Sequence, residues 1–132
     1  MKKKVRNIVV DNKKYVYWYH EGEDSTLIIV SPEGDKTIRV SYEFENQDRE
    51  TADDIGPYFW RMSKVKVTKN QGELEISLLR PAFVAELIRT TIKRSPDIFI
   101  IRNQRTTYKS AYNFLEDMGY EEIHPIWEVS FW

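Results

Sequence analysis

From residue 36 to 44 the chain alternates strictly. Ile38, Val40, Tyr42 and Phe44 fall on one side and Arg39, Ser41 and Glu43 on the other, which predicts a strand with one buried face. Leu74, Ile76 and Leu78 repeat the pattern against Glu73, Glu75 and Ser77. Residues 5–10 and 27–30 are short β-branched runs, bounded by the turn formers Asp11-Asn12 and Ser31-Pro32-Glu33-Gly34. Residues 14–20 are apolar on both faces, with Tyr15, Tyr17 and Tyr19 against Val16 and Trp18, so this strand is expected inside a sheet or covered on each side. Residues 58–68 change parity between Trp60-Met62 and Val65-Val67, the mark of a bulge, and Asn70-Gln71-Gly72 supplies the next turn.

After residue 80 the period lengthens. Pro81 suits the first turn of a helix, and Phe83, Val84, Leu87, Ile88 and Ile92 make an apolar stripe with Glu86, Arg89, Lys93 and Arg94 facing away. Ser95-Pro96 ends it. Asp97 to Ile101 reads as a short strand, and a second helix is expected over about 107–118, closed by Gly119. Trp127, Val129 and Phe131 mark a last strand. A crossover helix of about 14 residues spans about 21 Å, which makes 74–79 and 97–101 expected parallel neighbours. The whole predicts one α+β domain over residues 1–132. An N-terminal antiparallel β meander (1–79, one sheet) precedes β-α-β-α-β (80–132 holding both helices), with two helices packed on the sheet.

Composition narrows the chemistry. Aromatic residues make up 14% of the chain, which fits a strand-rich core. Cysteine is absent, which excludes disulfides, thiol catalysis and Cys-ligated zinc. The lysine-rich start is followed by no apolar core and no run reaches membrane-spanning length, so the expectations are a cytoplasmic location and no membrane partner. The net charge of -1 makes nucleic acid an unexpected partner, but the charge is uneven. The stretch 45–56 is an acidic loop suited to a basic protein partner, whereas Arg80 to Lys109 carries seven bases against Glu86 and Asp97.

The best candidate site is Arg102, Asn103, Arg105, Thr106 and Thr107, read as a strand end opening a helix. Free N–H groups, hydroxyls and guanidinium groups meeting there would suit a phosphate or carboxylate. His20 and His124 have no metal-ligand spacing, and no nucleophile elbow or metal-paired carboxylates occur. No catalytic residue, metal or cofactor is therefore expected. Tyr15, Tyr17, Trp18, Tyr19 and Trp60 are the residues that would form a base-stacking platform, although core packing is the commoner use.

Residues 110–120 read Ser-Ala-Tyr-Asn-Phe-Leu-Glu-Asp-Met-Gly-Tyr, which resembles the closing motif of GNAT-type acetyltransferases, a helix ending in a Tyr-Glu-Lys-x-Gly-Phe-like stretch. The element order over 74–132 is also similar to that family's C-terminal half. The resemblance implies a coenzyme A loop at Arg80 to Glu86, where this chain has no glycine and Pro81 removes an N–H. It thus implies a degenerate acyltransferase. Residues 79–92 further resemble small uncharacterised bacterial proteins with a Pro-x-x-Val-x-x-Leu-Ile helix, which implies a bacterial or phage origin. The leading reading is a non-catalytic binding protein holding an anionic or phosphate-bearing small ligand, such as a nucleotide. Its alternatives are a protein-interaction or inhibitor module using the acidic loop and exposed aromatics, and the degenerate acyltransferase.

Overall fold

Tight turns between short strands organise the N-terminal half. The computed structural model describes residues 5–21, 25–45 and 58–131. Strands β1 (Arg6–Val10), β2 (Lys13–Glu21), β3 (Ser25–Pro32) and β4 (Arg39–Glu45) follow one another as antiparallel neighbours. Asp11 and Asn12 take positive φ between the paired Val10 and Lys13, the two-residue turn whose twist matches that of the strands. Strand β7 (Arg105–Tyr108) then adds to the free edge of β4 in parallel, giving the order β1-β2-β3-β4-β7.

A second, three-stranded sheet has β5 (Tyr58–Lys69) at its centre, between β6 (Gly72–Ser77) and β8 (Glu121–Phe131). The register of β5 against β8 slips between Met62 and Lys64, where the apolar side of the sequence changes parity. Thr26 Oγ1 donates to the carbonyl of Met62 and so ties the two sheets together.

The helices are α1 (Pro81–Arg94) and α2 (Tyr112–Asp117). Helix α1 buries Phe83, Val84, Leu87 and Ile88 as its periodicity requires, and also Thr91. These side chains join Tyr17, Ile28, Val40, Tyr42 and Phe44 in one core. Tyr42 Oη lies 2.6 Å from Thr91 Oγ1, which donates to the Leu87 carbonyl at 2.6 Å. A hydroxyl has one proton, so Tyr42 must be the donor to Thr91. Burial pushes the Tyr42 phenol well above its ordinary pKa. Helix α2 ends at Gly119 (φ 94°), with Tyr120 N–H on the Leu115 carbonyl and Gly119 N–H on that of Glu116. These are the paired bonds of a Schellman stop.

The α+β class and the element order are as the sequence predicts. Three details differ. The strands before Leu79 form two sheets rather than one, because alternation fixes a strand's faces but not its edge partners. Residues 97–101 are a turn and not a strand, so 74–79 has no parallel neighbour there. The N–H groups of Ile100 and Ile101 both bond the Asp97 carbonyl, and Ile98 N–H bonds that of Ser95. The consecutive Ile98 and Phe99 are buried while Ile100 and Ile101 are exposed, the signature of a turn rather than of alternation. Residues 107–118 are not one helix: Ser110 sits at φ 55° between β7 and α2, a conformation no helix continues through. The acidic stretch 46–56 lies outside the described residues, while Glu45 closes β4.

Candidate functional site

The end of the first sheet where β1, β3 and the loop after α1 finish collects the segment 102–107. Asn103 adopts φ 62°, which asparagine tolerates, and its N–H donates to Thr37 Oγ1 at 3.1 Å. One residue on, the Gln104 carbonyl accepts from Arg39 N–H at 3.0 Å. The loop is therefore laced to the start of β4 before β7 begins. Asp35 completes the brace, accepting from the Thr37 N–H at 3.0 Å and from its hydroxyl at 2.5 Å. Those bonds, with a smaller contribution from Arg102, hold the Asp35 carboxyl below its ordinary pKa.

Parallel pairing then does what the sequence alone does not display. Arg39 and Arg105 are register partners on adjacent strands, so both project from the same face of the sheet. Ser41 and Thr107 are the next pair on that face, and Ser31, on β3, shares it. The Arg39 guanidinium lies over the Trp18 ring, 5.5 Å from its centroid. Arg39 Nε and the Oγ of the fully buried Ser31 have no hydrogen-bond partner among the described residues. Among the described residues no carboxylate pairs with Arg39 or Arg105. At Arg105 opens a cleft of about 520 Å³, lined also by Lys36, Thr37 and Asn103.

Of the residues expected to form a site, Asn103 and Arg105 line this cleft and Thr107 shares the face of Arg105. Thr106 does not join them: it points to the other face and meets Gln104 Nε2 at 3.3 Å. The Arg102 side chain is 87% exposed and 3.9 Å from Asp35. The helix N-terminus expected at Thr107 is absent, since Arg105–Tyr108 is extended. Lys36, Arg39 and Ser31 are additions. The alternation of 36–44 did put Arg39 on the polar face, but its meeting with Arg105 depends on a pairing between distant segments.

A second groove, of about 480 Å³, lies between α1, α2 and the end of β5. Three of its four cations, all but Lys93, are already engaged. Arg94 bonds Asp117 at 2.5 Å, Arg89 pairs with Asp11 at 3.4 Å, and Lys69 sits over the Tyr120 ring at 4.8 Å. The cleft at β4 and β7 differs in that no carboxylate is among its lining residues. Tyr15, Tyr17 and Trp18 are buried and offer no stacking platform. No group of three or more metal-ligating side chains occurs among the described residues. No known protein family matches the chain, and no curated protein or solved structure matches it either.

Proposed function

We propose that this protein is a non-catalytic binding protein that holds a phosphate-bearing or otherwise anionic small ligand where β4 and β7 begin. One observation carries the reading: Arg39 and Arg105 face the same way on neighbouring strands, and among the described residues neither has a carboxylate partner. Arg105 supplies forked donors and Lys36 a second charge at the opening, Asn103 lines it, and Arg39 adds charge from the same face of the sheet. Thr37 is a brace rather than a contact, because its proton is spent on Asp35 and it accepts from Asn103. Arg102 adds attraction at longer range.

Titration calorimetry with inorganic phosphate, sugar phosphates and nucleotides is the direct test. The wild type binds at least one of them, and Arg39→Gln with Arg105→Gln loses at least tenfold in affinity while keeping its urea midpoint. Absence of binding by the wild type at millimolar ligand would refute the reading and leave a protein-interaction role.

A further inference from the structure

The turn beside the cleft carries a second feature. Ile100 is 62% exposed and Ile101 53%, adjacent apolar side chains standing out from the end of the sheet. The turn that carries them is anchored. Phe99 is buried edge-on against Tyr15, with ring centroids 5.1 Å apart, and so pins the turn from below. The N–H groups of Ile98, Ile100 and Ile101 are all satisfied inside the turn. Such a turn enters an apolar phase without carrying those donors in unpaired.

Basic residues share this end of the fold with the pair. Lys13 and Lys14 line the same hollow as Ile100, Arg102 follows Ile101, and Lys36 and Arg105 line the cleft. Four carboxylates occupy this end as well. Asp11 is paired with Arg89 and Asp35 lies beside Arg102, which leaves Glu33 and Asp97 against Lys13, Lys14, Lys36 and Arg105. The balance is positive. Two aliphatic side chains that share an end of the fold with long basic ones do not resemble the core of a protein interface, which is aromatic-rich and depleted in lysine. They match the boundary of an anionic bilayer, where apolar tips enter and lysines reach the headgroups.

We propose that the anion taken by the cleft is the headgroup phosphate of an acidic phospholipid, with Ile100 and Ile101 inserted beside it. This inference rests on the anion-binding reading above. It concerns contact with a surface and not a span; no helix among the described residues is long and apolar enough to cross a membrane.

Flotation with phosphatidylglycerol–phosphatidylcholine vesicles, against phosphatidylcholine alone, tests it alongside the phosphate calorimetry. The wild type floats with the acidic vesicles only. Ile100→Ser with Ile101→Ser lowers that partitioning roughly tenfold or more and leaves phosphate binding unchanged. Lys13→Gln with Lys14→Gln lowers it about 30-fold, the equivalent of about 1 kcal/mol per basic residue near an anionic surface. Arg105→Gln weakens both vesicle and phosphate binding. Phosphate binding without vesicle binding overturns the lipid inference and leaves the cleft reading intact. Vesicle binding that persists in the double serine variant, or that ignores Arg105→Gln, overturns it too. Retention on an acidic polypeptide but not on vesicles assigns the patch to a protein partner and also overturns it.

Discussion

Removing either end of the Tyr42–Thr91 hydrogen bond should not cost the same. Both residues are fully buried, and the proton order runs from Tyr42 to Thr91 to the Leu87 carbonyl. Tyr42→Phe deletes the donor, while Thr91 keeps its bond to Leu87. The loss is then that of an ordinary hydrogen bond, about 0.5–1.5 kcal/mol. Thr91→Val deletes the acceptor and strands a phenolic O–H in the core. Leaving a buried donor unpaired costs about 1–3 kcal/mol. In the double variant both polar groups are replaced by apolar groups of similar shape, so its loss should fall well short of the two single losses combined. Urea unfolding of the four proteins, with equal slopes, reads the coupling directly. A Thr91→Val loss no larger than that of Tyr42→Phe would show that the proton order is wrong, and a double variant additive to within about 0.5 kcal/mol would show that the two hydroxyls are not coupled.

Other outcomes follow from the same packing. Leu87→Ala, at a fully buried position of α1, should cost about 2–5 kcal/mol in urea unfolding. Gly119→Ala should cost roughly 1–2 kcal/mol through conformation alone, because the nearest atom to an added Cβ is Lys69 Cε at 3.8 Å. Burial raises the pKa values of Tyr42 and Tyr112, with the Glu45 charge adding to the latter. These phenols therefore stay protonated in the fold after the unfolded chain begins to ionise. Their contribution to stability is complete below pH about 10 and declines above it. Urea midpoints should fall through that range, and less steeply in Tyr42→Phe.

Local signals were legible where one physical cause acted alone. The stripe of α1, the alternation of β4, the parity change in β5 and the stop at Gly119 each follow from neighbours in sequence. Reading failed where two causes competed. Asp97 to Ile101 has strand composition, but Pro96 and the Asp97 carbonyl close it into a turn. Tyr108 and Tyr112 share a helical spacing, yet Tyr108 stacks on Tyr42 from a strand, with ring centroids 5.7 Å apart, and Tyr112 packs edge-on to Phe44 from a helix. Asn103 and Arg105 were singled out as part of a strand end opening a helix; they line the cleft although the segment runs on as a strand. Arg39 joins the face of Arg105 only through the parallel register.

That register also shapes how the chain assembles. β1 to β4 can zip together from contiguous hairpins, so their contacts are available as soon as residue 45 has been made. Arg39 meets Arg105, and Tyr58 meets Phe131, only after the chain has returned across a long span. Closing such loops loses entropy before any contact compensates, which slows the search. During synthesis the early hairpins would wait with the edge of β4 open until β7 emerges. An exposed strand edge is a template for pairing with another chain. The pairing that sets the two arginines side by side in register thus also closes the β4 edge, but only once β7 has emerged.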